Sequence, residues 1–296
     1  MTTLVPGSPE WLRTITASKI PGILGISRWT SQFALWHQMA GNISETISEA
    51  KQENYDYGHA AELAASEFWK LRNPGWRLSR EEVQYSRKDL PFANAATIDR
   101  RGSRGSKRRV VEVKTARDLA EWGDDGSGEC PADYAAQVLW QQFITGWHET
   151  ANIVLWPQYG MPRIYDIEFD PRIAKAILAR VVEWQKSLDE GVAPELDDSV
   201  STYEAVKKLH PEIDGSSVEL DGELALQYLG WTKELKDTTK TVTGLKSRML
   251  DAMGNAQYAM CNGQKVADRR PGRGDSVSLY ANTKLDLGSI KGSDAA

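Results

Sequence analysis

Asp99, Glu112 and Lys114 have the types and spacing that metal-assisted hydrolysis requires. The last two lie in the run Val110-Val111-Glu112-Val113-Lys114-Thr115. Read at the period of two that extended backbone imposes, Val111, Val113 and Thr115 fall on one side of a strand, and Val110, Glu112 and Lys114 on the other. A carboxylate and an ammonium therefore share a face, with valines packing behind them. Upstream, the apolar run Ala93-Asn94-Ala95-Ala96-Thr97-Ile98 ends in Asp99. An aspartate, a spacer and then Glu-x-Lys is the order in which many metal-dependent nucleases build their site. Oxygen ligands favour hard cations, and Mg²⁺, with Mn²⁺ as a substitute, takes a few carboxylates, waters and substrate phosphate oxygens. In this reading Asp99 and Glu112 hold the metal with the carbonyl of Val113, while Glu62 acts through water or a second ion. Lys114 orients the attacking water and meets the negative charge that develops.

The surrounding elements must bring these groups together. Between Asp99 and Glu112 stand Arg100, Arg101, Arg104, Lys107, Arg108 and Arg109, spaced by glycine and serine. Such a stretch predicts a flexible hairpin tip and a local positive patch, suited to a polyanion lying across the carboxylates. A helix from about Asp56 to Leu71, ending before Pro74, carries a stripe of Tyr57, Ala61, Ala64, Ala65 and Phe68. That stripe sets Glu62 among alanines, away from Glu67 and Lys70. After an acidic, glycine-rich and mobile loop over residues 116–129, Pro131-Ala132-Asp133 starts a helix that runs through Thr145 and stops at Gly146. On it Gln137 and Gln141 share one face, and Ala136, Trp140 and Phe143 another. Near the start, Ile15 to Ile20 predicts a short helix capped by Thr16 or Ser18. Pro21 is tolerated only in its first turn, which favours Ser18. The N–H groups there, with Arg13 nearby, suit a phosphate.

Other segments read as scaffold. Thr30 to Ala40 is a helix, Asn42 to Asn54 a helix or loop, and Arg77 to Tyr85 and Phe92 to Ile98 are strands. Ile153 to Trp156 and Ile164 to Phe169 form a hairpin, and a helix behind Asp170-Pro171 buries Ile173, Ile177, Val181, Trp184 and Leu188. An acidic linker from Pro194 to Ser201 marks a domain boundary, and Ser201-x-x-Glu204 is a capping box for a short helix. Beyond it, Leu224, Tyr228, Trp231, Leu235, Thr238, Val242, Leu245 and Met249 recur at alternating spacings of four and three. This heptad-like stripe belongs in a seam against other helices or another subunit, though Gly230 and Gly244 allow a broken helix or helical hairpin. Asn262-Gly263 is a hairpin turn, and Ser276 to Tyr280 a last strand.

Composition narrows the classes. With 41% apolar and 26% charged residues the chain is an ordinary globular protein, and no apolar run approaches the ~20 residues a membrane helix needs. The first residues lack the basic and apolar regions of a signal peptide, and two distant cysteines, Cys130 and Cys261, fit a reducing cytoplasm rather than a zinc or iron–sulfur site. Four histidines without an H-x-x-x-H pair argue against a histidine zinc hydrolase. Absence of a Walker A loop and of G-x-S-x-G argues against nucleotide-driven motors and serine hydrolases. A net charge of −5 does not advertise nucleic acid, but charge distribution matters more than its sum.

Taken in order, five short motifs resemble the YqaJ-like viral recombinases, phage exonucleases related to lambda exonuclease within the PD-(D/E)XK nuclease superfamily. They are Ile15-Thr16-Ala17-Ser18, Gly58-His59-Ala60-Ala61-Glu62, Thr97-Ile98-Asp99, Glu112-Val113-Lys114, and Tyr134-Ala135-Ala136-Gln137 followed by Thr145-Gly146. The resemblance covers about Trp11 to Trp156. It implies an α/β (α+β) fold with a mixed central sheet flanked by helices, and Mg²⁺-dependent 5′→3′ degradation of linear double-stranded DNA. It implies catalytic roles for Glu62, Asp99, Glu112, Lys114 and Gln137. DNA and 5′-phosphate contacts are expected from Arg13, Ser18, Thr97, Arg100, Arg101, Arg104, Lys107 and Arg108. A single-strand annealing protein as partner and a ring-shaped trimer are further implications. Two departures stand out: Ile98 replaces the usual proline before the aspartate, and Arg100 the glycine after it. The expected organisation is an exonuclease domain over residues 1–193 and a helical, heptad-like extension over 194–296 ending in a small β-hairpin. The alternatives are an endonuclease of the same superfamily and a non-catalytic DNA-binding or assembly module.

Overall fold

The computed structural model describes residues 4–44, 48–272, 274 and 276–290. Helix α1 (Pro9–Arg13) starts behind Ser8, whose hydroxyl accepts from the Trp11 N–H. Strand β1 (Ile15–Thr16), a 3₁₀ turn and α2 (Ile20–Ile23) come next. Serine caps, Ser31 and Ser48, precede α3 (Gln32–Met39) and the long α4 (Glu49–Arg72). Then come β2 (Arg77–Leu78), β3 (Val83–Tyr85), β4 (Asn94–Ile98), β5 (Arg100–Arg104) and β6 (Lys107–Ala116). Helix α5 (Ala132–Thr145) ends at Gly146, whose φ of 69° is left-handed and suits glycine. Strands β7 (Ala151–Pro157) and β8 (Arg163–Ile167) lead to α6 (Pro171–Glu190) and α7 (Val200–Leu209).

The central sheet has the order β2-β5-β6-β7-β8, and β1-β4-β3 forms a smaller one. Strands β6 and β7 are parallel, with Glu112 beside Ile153 and Lys114 beside Leu155, while the other neighbours of the central sheet are antiparallel. A parallel pair needs a crossover, and α5 supplies it. The alternation expected at Glu-x-Lys is realised. Val111 and Val154 pack with Ala65, Trp69 and Trp76 on the α4 side, while Val110, Ile153 and Leu155 join the main core with α5 and α6. A side chain at Gly102 would place its Cβ 2.8 Å from Arg109 Cγ and 3.4 Å from Trp69, so glycine there lets α4 press on the sheet. The class is α/β with a mixed sheet flanked by helices, as expected.

Several local expectations change. The basic stretch is not a flexible tip but two paired strands, with Arg100 opposite Val111 and Arg104 opposite Lys107; only Gly105 and Ser106 turn the corner. Arg77 to Tyr85 splits into β2 and β3, which join different sheets. Residues 116–129 are strapped down rather than free. Trp122 is buried against Tyr134 and Tyr165, and the Gly123 carbonyl accepts from Arg163 and from the Tyr165 hydroxyl. Ser18 caps nothing: the cap position of α2 is Lys19, whose ammonium instead donates to the carbonyls of Trp11, Leu12 and Thr14. In α4, Tyr57 and Ala64 are exposed and Trp69, outside the expected stripe, is buried. Of the apolar positions assigned to α6, Ile173 is exposed. The cap of α7 is Ser199, not Ser201, because Ser201 is engaged with Ser31, accepting its N–H.

The chain divides into two units, Met1–Glu212 and Ile213–Ala296. The first runs past the 193/194 boundary read from the linker because α7 packs on α3: Ala205 joins Phe33, Ala34 and Ile43, and Thr202 donates to the Ser31 hydroxyl at 2.7 Å. The second unit holds α8 (Gly222–Met253), continuous through Gly230 and Gly244, and a three-stranded antiparallel sheet of β9 (Tyr258–Cys261), β10 (Gln264–Pro271) and β11 (Val277–Ala281). The expected Asn262-Gly263 turn is present, with Asn262 at φ 50° and Gly263 at φ 74°.

Candidate active site

The chain leaves β4 and enters β5 at Asp99, so this residue sits where one strand changes sheets. That bend points its carboxylate at the neighbouring strand, where Asp99 Oδ2 accepts from the Val113 N–H at 2.6 Å. Glu112 is 3% exposed, and three side chains hold it. Its Oε1 accepts from Lys114 Nζ at 2.7 Å and from Gln137 Nε2 at 2.5 Å, and its Oε2 from Gln141 Nε2 at 2.7 Å. The two glutamines reach it together because four residues bring a helix back to the same face. Gln141, fully buried, also donates to the Thr97 carbonyl at 2.9 Å, tying α5 to the end of β4. Tyr134, a turn earlier, lays its ring 5.2 Å from Lys114 Nζ.

Charge is crowded at this point. Burial, reinforced by the carboxylate of Glu112 and then opposed by Lys114 and the Val113 N–H, holds the Asp99 carboxyl well above the usual carboxylate range. Burial pulls the Lys114 ammonium down, but Glu112 and Asp99 outweigh it and the net shift is upward. Lys114 is therefore a cation at neutral pH. Glu62, on the neighbouring turn of α4, pairs with the buried Arg100 guanidinium, which also donates to the Asp99 carbonyl at 2.6 Å. Glu62 adds to the upward pressure on Asp99. At Asp99, burial and the charges of Glu112 and Glu62 thus outweigh Lys114 and the Val113 N–H.

That donor chemistry fits a hard divalent cation. Among the described residues no group of three His, Cys, Asp or Glu side chains is gathered closely enough to enclose an ion. An ion held by two carboxylates would complete its coordination with waters and substrate oxygens. Asp99 and Glu112 are the residues that would hold it.

The structure brings together Glu62, Asp99, Glu112, Lys114 and Gln137 of the residues singled out in the sequence. The basic residues are divided instead of forming one patch. Arg100 is turned inward on Glu62; Arg104 and Arg109 lie over the Trp76 ring at 5.1 and 4.0 Å; Lys107 pairs with Glu149; Arg108 donates to the carbonyls of Gly105 and Lys107. Arg101 approaches the Tyr85 hydroxyl at 3.4 Å. Thr97 spends its hydroxyl on Gln84. Arg13 and Ser18 are both exposed, and the Thr16 and Ser18 hydroxyls stand 3.0 Å apart. Their segment lies beside the strand that delivers Asp99, because β1 pairs with β4 through Thr16 and Ala95. Gln141 was readable as a companion of Gln137 on one helix face but not as a ligand of Glu112. Tyr134 entered only as part of a motif, and Asp133, which holds Arg28 at 2.9 Å beside it, gave no signal beyond its place at a helix start.

Known proteins resemble this chain across the segment that carries these residues. Residues 10–148 match the model of the YqaJ-like viral recombinase domain. The uncharacterized protein YqaJ of Bacillus subtilis (strain 168) is 26% identical over 271 residues, covering 84% of this chain and 79% of that one. Among solved structures, the alkaline exonuclease LHK-Exo from Laribacter hongkongensis superimposes with a TM-score of 0.46 at 18% identity, over 61% of this chain and 90% of its own. Its complex with dAMP gives the same values. The segment matched by the family model spans Glu62, Asp99, Glu112, Lys114, Gln137 and Gln141. The segment that matches the YqaJ-like viral recombinase domain is thus the one that carries the five sequence motifs and the residues gathered around Glu112.

Proposed function

We propose that the chain is a Mg²⁺-dependent exonuclease that degrades linear double-stranded DNA, 5′→3′, and so exposes single strands for homologous recombination. The observation that carries this reading is the convergence of Asp99, Glu112 and Lys114, with Gln137 and Gln141 clamping Glu112. Bound there, the divalent ion would supply Lewis acidity and lower the pKa of the attacking water. The protein's own groups do the rest. Asp99 and Glu112 hold the site at a strand bend, and the two glutamines fix the orientation of Glu112. Lys114 places a proton donor and a positive charge beside the scissile phosphate. Thr16, Ser18 and Arg13 lie on the segment next to β4 and are assigned to the 5′-phosphate. The exposed cations of the β5–β6 hairpin, Arg104 and Lys107 foremost, are assigned to the duplex backbone. A single-strand annealing protein as partner and a ring-forming assembly belong to the same reading and rest on the family.

One digest tests the whole. Linear duplex with a 5′-phosphate should be degraded in Mg²⁺ and spared in EDTA, closed circles should survive, and a 5′-hydroxyl end should be consumed more slowly. Asp99→Ala should lose at least roughly a thousandfold in rate while still binding duplex, since the cations of the hairpin are untouched. Cleavage of circles as fast as linear DNA would sink the exonuclease reading in favour of an endonuclease, and activity persisting in Asp99→Ala would place the chemistry elsewhere.

A further inference from the structure

Helix α8 is continuous over 32 residues, and none of them is buried. Its stripe of alternating four- and three-residue spacings is therefore laid out along one side of a helix and left open by the described residues of its own unit: Tyr228, Trp231 and Leu235 stay 70%, 69% and 67% exposed. Helices draw most of their stability from packing an apolar face, and Gly230 and Gly244 each weaken this one by about 1 kcal/mol relative to alanine. A surface of this kind asks for a second helix.

We infer that α8 pairs with α8 of a second copy of this chain, and that the two run antiparallel. Place Tyr228, Leu235, Val242 and Met249 at the a positions and Leu224, Trp231, Thr238, Leu245 and Ala252 at d. A parallel pair then stacks Tyr228 on the partner's Tyr228 and Trp231 on the partner's Trp231, bulk against bulk. It also sets no acidic residue opposite a basic one at the flanking positions. In an antiparallel pair a faces d, and one register matches sizes from Tyr228 to Ala252, with Leu224 beyond the partner helix's end. Leu235 meets the partner's Leu245, Val242 meets the partner's Thr238, Trp231 meets the partner's Met249, and Tyr228 meets the partner's Ala252. That same register puts Glu234 beside the partner's Arg248 and, by the twofold axis, Arg248 beside the partner's Glu234. The flanking positions at the axis, Thr239 and Thr241, are uncharged, so no like charges meet there. Size and charge choose the same alignment independently. The occupant of this face is a second copy, joined through an isologous contact that leaves the residues of the nuclease site outside the seam.

Charge reversal in the full-length protein tests the pairing. Glu234→Arg alone puts arginine against arginine twice, and Arg248→Glu alone puts glutamate against glutamate twice. Each single variant should associate about tenfold more weakly than wild type by sedimentation equilibrium. Mixing the two in equal amounts should restore wild-type affinity, because each then meets its opposite across the seam. Leu235→Asp should abolish the association made through α8, leaving any made by the first unit, and since all these positions are exposed, an unchanged circular dichroism melt of each variant verifies that the chain is folded. Wild-type and Leu235→Asp proteins of equal mass, single variants that associate like wild type, or a mixture that does not recover would each overturn the antiparallel pairing; the second outcome would point to a parallel pair or to another partner.

Discussion

Glu112 depends on three donors, so the loss of one is felt at the other two. Gln141→Leu keeps the volume but removes the N–H that serves both Glu112 and the Thr97 carbonyl. The expected result is a requirement for about tenfold to a hundredfold more Mg²⁺ at half-maximal activity, the usual cost of losing a group that orients a ligand. A titration of Mg²⁺ against duplex digestion reads it directly, and an unchanged midpoint would remove Gln141 from the site. On the proposed reading, Asp99 would supply the pH dependence. Its carboxyl is raised by burial first and by Glu112 second, so a proton must leave before a cation can be held. Apparent Mg²⁺ affinity should rise with pH through that raised value and be lost as pH falls through it. Stability without metal runs the other way. The folded state binds more protons than the unfolded one between the ordinary aspartate value near ~3.9 and the raised value, so stability falls as pH rises across that window. Asp99→Asn keeps an acceptor for the Val113 N–H and removes the charge; it should melt higher than metal-free wild type at neutral pH. A lower melting temperature would contradict the electrostatic account. These groups differ in how plainly the sequence displays them. Asp99, Glu112 and Lys114 announce themselves by alternation on strands, and Gln137 by a short motif. The part played by Gln141 depends on how closely α5 approaches β6, which no local pattern encodes.

Segments, too, are readable in proportion to how local their causes are. The strands around Glu-x-Lys, α5 and α6 arise from periodicity and capping, and they stand close to where the sequence puts them. The basic stretch misleads because composition reads as a solvated loop, whereas alternation places Arg100 and Gly102 toward α4 and leaves Arg101 and Ser103 on the opposite face. The strap over residues 116–129 misleads for the opposite reason. Its glycines and acids read as mobile, but Trp122 is an apolar anchor, and Asp125 both accepts from the Ile164 N–H at 2.7 Å and pairs with Arg72. Trp122 also touches the candidate site at one remove, since its ring packs 5.6 Å from that of Tyr134, the side chain lying over Lys114. Trp122→Ala should cost about 3 to 5 kcal/mol of stability, as large-to-small changes at buried aromatic sites do. Digestion should slow as well, because Tyr134 loses the support that holds it against Lys114. Thermal melts and digestion rates of the same preparation separate the two effects. A variant that melts normally would show that the strap is not held by its tryptophan.

Across the whole chain, the sequence signal for a boundary and the physical boundary fall in different places. The acidic linker over residues 194–201 has the composition of a hinge, and the chain does cross there largely without regular structure. Helix α7, on its far side, is nevertheless bound to the first unit. Ala205 completes a cluster with Phe33, Ala34 and Ile43, and the buried hydroxyls of Ser31 and Thr202 satisfy one another. Composition describes a linker but cannot say whether the element beyond it returns to the core. A chain ended after residue 193 would uncover that cluster and leave the Ser31 hydroxyl and N–H without their partners from α7. Re-exposed apolar surface and the unpaired polar groups together cost about 3 kcal/mol. For a unit of this size that is a fall of roughly 6 to 12 °C in melting temperature. A chain ended after Glu212 keeps α7 and should melt close to the first transition of the full protein, while retaining Mg²⁺-dependent digestion of duplex. Calorimetry on the two truncations decides between the boundaries. Equal melting temperatures would mean that α7 contributes nothing to the first unit, and that the linker, not the contact with α3, is where the unit ends.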